Sequence, residues 1–419
     1  MNVQTNHPVH TILLTWLAWA VIVIGFQAFA TARFQPERPD NVLFWTANET
    51  EANSQNGKPY LLDPFMNNQV SWDSEFYLSI ATVGYDDPAM RAIPPDFSWE
   101  YPRNCVAGQD APCYSLNYAF FPAYPYLMRL VAVPLHALRL TPIAASTLAG
   151  VIVSALGTLG AMLALYDLTK DELSEAGGLR AAFYLIIFPS GFFLAQVYTE
   201  GLFVGSAFGC LALLRRRQWI GAGLLAVLAT WTRAVGIALI IPLAIAWLRE
   251  FDWKHMDRAM MIKSLVVVAP LVAYLVWRFS AWGQAFTLVE HTFFGREPLA
   301  LQRSFAVWSM AWKTFFGDNS QGKVYYAVEF AAIILGLVAC LWTCRRYPGL
   351  ALFGLAVIAI SLTSGGAQGM HRYVLAAPSV FLVLSRLGKN DAFDKGWTLL
   401  SILLMGLYAM LFAFDMWAG

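Results

Sequence analysis

Three short segments of this 419-residue sequence bring carboxylates, arginines and aromatic rings together at spacings that suit chemistry. The first is Ser71-Trp72-Asp73-Ser74-Glu75-Phe76-Tyr77. Read as a helix, it puts Asp73 and Tyr77 on one face, because residues four apart are neighbours. Trp72 and Phe76 form an adjoining aromatic stripe. That pattern suits an amphipathic helix at a membrane interface, with its rings toward lipid and Asp73 toward a cavity. The same residues also read as a capped helix start, with Ser71 as N-cap and Asp73 and Glu75 favoured by the positive helix end. Glu75 falls about 200° around a helix from Asp73, so the two carboxylates do not form a dyad unless the segment is extended.

The second and third segments sit at apparent helix ends. Tyr198-Thr199-Glu200-Gly201 opens an apolar run, which places an ionisable group at membrane depth and marks Glu200 as a candidate binding residue. It reads equally as a helix-start carboxylate facing water. Thr232-Arg233-Ala234 interrupts two half-length apolar runs, and His371-Arg372-Tyr373 starts another. Arg233 also suits simple snorkelling to the interface. Before His371 lies the flexible turn Ser364-Gly365-Gly366-Ala367-Gln368-Gly369, rich in backbone donors. Two arginines and such a turn could hold one phosphate.

The elements that must carry these residues are membrane helices. The sequence is 58% hydrophobic and 13% charged, against about 25% charged in an ordinary soluble domain. A water-soluble enzyme, a disordered chain and a disulfide miniprotein are excluded. With 28 basic and 27 acidic residues there is no field to attract nucleic acid. A spanning helix needs about 20 apolar residues. Candidates are 11–30, 142–166, 181–194, 199–214, 219–231, 235–248, 262–282, 324–343, 350–361, 373–387 and 397–417. Several are short, as in proteins whose helices break around a site. The proline-rich stretch 120–138 is expected to lie along the membrane without crossing. With the N-terminus inside, the clusters Arg215–Arg217, Arg249/Lys254/Arg258/Lys263, Arg345/Arg346 and Arg386/Lys389/Lys395 then all face the cytoplasm, as the positive-inside rule requires.

The expected fold is therefore an all-α polytopic membrane protein of about eleven spans, N-terminus in and C-terminus out. Its parts are a first span (1–30), an extracytoplasmic loop with juxtamembrane helices (31–141) and a helix bundle (142–419). Residues 31–116 hold five basic and twelve acidic residues, a net of seven negative charges. A loop that long is expected to be a folded, functional cap. It contains Cys105 and Cys113, and an oxidising exterior makes a disulfide plausible. The other three cysteines lie in or beside helices. No histidine pair or cysteine spacing suggests a metal site.

In order and spacing, Trp72-Asp73-Ser74-Glu75-Phe76-Tyr77, Gly84-Tyr85, Phe120-Phe121-Pro122-Ala123-Tyr124-Pro125, Tyr198-Thr199-Glu200-Gly201-Leu202-Phe203 and Thr232-Arg233 resemble the PIG-V family. This is the GPI mannosyltransferase 2 group and its prokaryotic relatives, within the GT-C glycosyltransferases. The similarity covers residues 70–236, with a weaker echo at His371-Arg372-Tyr373. Ala234-Val235-Gly236 stands where the family often has a polar Asn-Gly pair, and Gly201 where it usually has serine.

The resemblance implies an inverting hexosyl transfer, most in keeping with mannose, from a polyprenyl or dolichyl phosphate to an acceptor hydroxyl outside the cytoplasm. It implies Asp73 as catalytic base. Glu200, Arg233, His371, Arg372 and Tyr77 are the expected substrate-binding residues, with Arg372 on the phosphate. The expected partners are the lipid-linked sugar donor, membrane lipids and a glycan, glycolipid or protein acceptor. A phosphomonoester donor calls for no metal or other cofactor. The short loops favour a prokaryotic plasma membrane. A lipid or solute transporter, or an assembly subunit with a degenerate site, remains the competing reading.

Overall fold

The computed structural model describes residues 8–35, 40–51, 56–100, 103, 105–106, 112–251 and 257–419. Lys254 of the basic clusters lies outside them. The architecture is all-α and polytopic, with one two-stranded ribbon. Among the described residues, five helices are long and apolar enough to cross a membrane: Pro8–Arg33, Pro142–Ile187, Arg258–Arg278, Ser320–Cys344 and Asp391–Ala413. Trp219–Thr232, Pro348–Leu362 and Pro378–Leu387 are shorter apolar helices. Two expected spans contain 3-10 turns, at Gly191–Ala195 and Ala234–Leu239.

The runs 142–166 and 181–194 were expected to be separate spans. They do form two helical arms: the helix from Pro142 breaks at Ser174, where the backbone turns to φ 68° and ψ 172°, and the second arm folds back along the first, so that the Thr158 hydroxyl donates to the Leu194 carbonyl oxygen at 2.8 Å. This long helix packs on Glu200–Arg215 through Gly157, Gly201 and Gly205. A Cβ on Gly201 would come 2.2 Å from the Ser154 carbonyl oxygen. The departure to glycine at 201 thus has a packing reason: small residues let two membrane helices touch backbone to backbone. The contact fixes the first turn of Glu200–Arg215, where Glu200 stands.

Two helices of the segment 31–141 pack against the bundle. Helices Ser74–Thr82 and Ala123–Leu135, the second only 13 residues long, pack on each other and on Pro142–Ile187. Their core, including Tyr77, Leu78, Tyr124 and Met128, runs into Ala145, Ala149 and Val197 of the bundle. Ala92–Ile93 pairs antiparallel with Tyr114–Ser115, and the Cys105–Cys113 disulfide is formed beside it.

Two local expectations are corrected. Phe76 does not face lipid; it is buried and stacked on Phe120 at 4.6 Å. Ser71 is not the N-cap. The helix starts at Ser74 with Asp73 in the capping position, and the Asp73 side chain makes no cap hydrogen bond. Ser71 instead receives its partners from elsewhere: its N–H donates to Ser74 Oγ at 3.1 Å and its hydroxyl to Asp415 Oδ1 at 2.9 Å.

Candidate active site

Four segments far apart in sequence meet around Asp73. Trp72, just before it, adopts the left-handed conformation (φ 53°). Its ring packs edge-on against Trp417 at 5.0 Å and Trp45 at 5.8 Å, which offsets the strain of that backbone by burying a large ring. The Asp73 N–H donates to the Tyr198 hydroxyl at 3.2 Å. With no cap bond to satisfy, the carboxylate is left pointing outward from the helix start, 36% exposed. Tyr77, one turn on, is buried against Tyr124 and Tyr198.

Glu200 and the arginines supply the rest. Glu200 does not face water; it is 1% exposed and ion-paired with Arg233 Nη1. Arg233 lies in extended backbone (φ −150°) where Trp219–Thr232 gives way to the 3-10 turn, and its guanidinium stacks over Tyr373 at 4.6 Å. Arg372 Nη1 reaches 3.6 Å from Glu200 Oε1 and 4.0 Å from Asp73 Oδ2. Its guanidinium lies over the rings of Phe193 and Tyr198. The network is incomplete: Arg372 Nε and Glu200 Oε2 are buried without a hydrogen-bond partner. Burial raises the Asp73 pKa above the usual aspartate value; Arg372 opposes this, and Glu200 adds to it.

Sequence reasoning missed two contributors. Arg296, from the segment after Ala281–Thr292, acts electrostatically on Asp73. Its Nη1 donates to Ser364 Oγ at 3.1 Å, and its guanidinium lies against Gly366, where a Cβ would sit 3.1 Å away. The glycine-rich turn therefore admits an arginine that came from elsewhere. The second is Glu329, fully buried in Ser320–Cys344. The readable signal was a single carboxylate inside an otherwise uncharged apolar run. Nearby Glu290 is pushed up to about 7 by burial, against the pull of Arg296.

His371 is a correction. It was expected to bind substrate, but it is fully buried behind Arg372. Its Nδ1 faces Glu329 Oε1 at 3.2 Å and its Nε2 the Ala418 carbonyl oxygen at 3.0 Å. The ring is thus enclosed by the protein, with Nε2 bonded to the C-terminal segment. The same C-terminal segment is tied to the cap by Trp417 N–H to Asp40 Oδ2 at 2.6 Å.

A groove of about 690 Å³ lies elsewhere, between Pro8–Arg33, Pro142–Ile187 and Asp391–Ala413. The charges at its edge, Arg180 and Lys395, are already matched by Asp394 and Asp391. We therefore place the candidate chemistry at Asp73, where charge is unmatched. Among the described residues, no three His, Cys, Asp or Glu side chains converge to hold a metal ion.

No protein-family model and no curated protein matches the sequence. Among solved structures, the chain is similar to the Archaeoglobus fulgidus oligosaccharyltransferase in complex with zinc and sulfate, at 16% identity and a TM-score of 0.45, over 84% of this chain and 52% of that one. It is also similar to the oligosaccharyltransferase AglB of the same organism in complex with an inhibitory peptide and a dolichol-phosphate, at 14% identity and a TM-score of 0.42, over 96% of this chain and 55% of that one. The chain spans about half the length of these structures.

Proposed function

We propose that the protein is an integral-membrane inverting glycosyltransferase of the GT-C type, related to the PIG-V group. In this reading it moves a hexose, most in keeping with mannose, from a polyprenyl or dolichyl phosphate to an acceptor hydroxyl. The observation that carries the reading is the unfinished charge network: a partly open carboxylate, Asp73, 4.0 Å from the largely buried Arg372, whose Nε has no protein partner.

The chemistry follows from that arrangement. Asp73 takes the proton from the acceptor hydroxyl as its oxygen bonds to the anomeric carbon. The bond from that carbon to the phosphate oxygen breaks on the opposite face, and the electron pair leaves with the lipid phosphate. Arg372 and Arg296 face the growing negative charge, while Arg233 is held by Glu200. Positive groups already in place stabilise that charge without reorganisation. The raised pKa of Asp73 makes it a stronger base near neutral pH, and base catalysis of this kind contributes about 10²–10⁴-fold. The bias of basic residues supports a cytoplasmic N-terminus and an extracytoplasmic site, in a prokaryotic plasma membrane. The acceptor enters beneath the cap, beside Tyr77 and Trp72.

The direct test is incubation of purified protein with radiolabelled polyprenyl phosphate hexose and candidate acceptors. A covalent glycosylated product supports the reading. Movement of the lipid across a vesicle membrane without such a product would replace it with a transporter.

A further inference from the structure

Glu329 is the only charged residue between positions 324 and 344, and it is 0% exposed. A carboxylate in an apolar helix is costly unless it is fully partnered. Apart from Tyr325 one turn before it, its partners belong to one turn. Oε1 accepts from the Gly369 N–H at 2.6 Å, and Oε2 from the His371 N–H at 3.1 Å. The His371 ring faces it at 3.2 Å. The Tyr325 hydroxyl also accepts from the Gly369 N–H, at 2.9 Å. Gly369 itself is left-handed (φ 75°), and a Cβ there would press within 3.3 Å of Arg372 Nη2. The clamped residues immediately precede Arg372, so the clamp sets where that guanidinium points.

We infer that Glu329 is a positioning residue, which by fixing the Gly369–His371 backbone holds Arg372 toward Asp73 and Glu200. Its consequence for catalysis rests on the glycosyltransferase reading; the orientation of Arg372 does not. Glutamine at 329 keeps the size and one acceptor, but turns an NH₂ toward the other N–H. The clamp therefore loosens with little change in volume.

The test uses the full chain in lipid nanodiscs, comparing wild type with Glu329→Gln and Tyr325→Phe. Phenylglyoxal labelling with mass spectrometry reads the accessibility of Arg372, with Arg233 as the internal reference. We expect Arg372 labelling to rise several-fold in Glu329→Gln and less in Tyr325→Phe, with Arg233 unchanged. In the transfer assay, kcat should fall by about 10–100-fold, the scale of a small misplacement of a reacting group, with acceptor KM unchanged. Tyr325→Phe removes no buried charge and serves if the glutamine variant does not fold. Equal labelling of Arg372 in wild type and folded variants would overturn the inference, as would a parallel rise at Arg233, which means general loosening. Increased Arg372 labelling in a protein whose wild type transfers no sugar would overturn the glycosyltransferase reading and support the positioning role.

Discussion

Arg216 grips Asp167 with two nitrogens, at 2.9 and 2.7 Å, and Lys170 adds a third contact at 3.0 Å. Ser154 lies about 20 Å along the same helix from Asp167 and bonds the Tyr198 carbonyl oxygen; in the site on that side, Arg372 stands 4.0 Å from Asp73 and leaves its Nε unbonded. Both regions pair arginines with carboxylates. Around Asp167 the pairing is complete, since both carboxylate oxygens accept hydrogen bonds from Arg216. Those pairs tie helix ends together and leave nothing for a ligand. Around Asp73, three arginines act on two carboxylates, Glu200 and Asp73, and Asp73 is partly open. An ion pair with unfilled valence can bind; a filled one can only hold.

Breaking the open end should be felt most. Arg372→Ala is expected to weaken donor-lipid binding by about 10–100-fold, since hydrogen bonds to a charged group contribute about 1.5–3 kcal/mol. Acceptor affinity should change little. Titration with donor lipid and with acceptor separates the two, and an unchanged donor affinity would send the phosphate elsewhere. At the closed end, Asp167→Asn should lower stability by about 1–2 kcal/mol while leaving kcat in place. This is less than for a fully buried pair, because Arg216 is half exposed. Thermal unfolding alongside the transfer assay reads both; a large loss of kcat without a loss of stability would erase the contrast.

A subtler effect concerns pH. Burial pushes Glu75 up to about 7 from its ordinary 4.5, eased by Lys58. A carboxyl raised on folding binds its proton more tightly in the native state. Between its unfolded and folded values, stability therefore falls as pH rises. The melting temperature of wild type should drop from about pH 4.5 to about pH 7, and Glu75→Gln should flatten that slope. An identical slope in the variant would assign the drop to other groups, Glu290 first among them. Smallest of all is Lys395→Ala. Its pair with Asp391 is 75% and 78% exposed, and unfolding should not register its loss.

Much of this was legible in the sequence because hydropathy and charge act locally. Apolar runs marked the helices, and the proline-rich 120–138 proved to hold a helix of 13 residues. Glu200, Arg233 and Arg372 were visible as ionisable groups at the edges of apolar runs and Asp73 as the carboxylate of an amphipathic loop helix, and the four meet. What could not be read was which faces turn inward. Phe76 was assigned to lipid because the stacked ring of Phe120 is distant in sequence. His371 was assigned to substrate because the carboxylate that engages it, Glu329, sits in another helix. Arg296 reaches the glycine-rich turn through tertiary packing alone, and no local spacing announces it. The polar stretch 167–180 between two apolar runs did mark the break, which falls at Ser174.

The central claim is that Asp73 is the base, and single-turnover transfer by Asp73→Asn tests it most directly. With radiolabelled polyprenyl phosphate hexose prebound, the account predicts that the variant retains donor binding and loses transfer by about 10²-fold or more. Turnover by Asp73→Asn at the wild-type rate would contradict it.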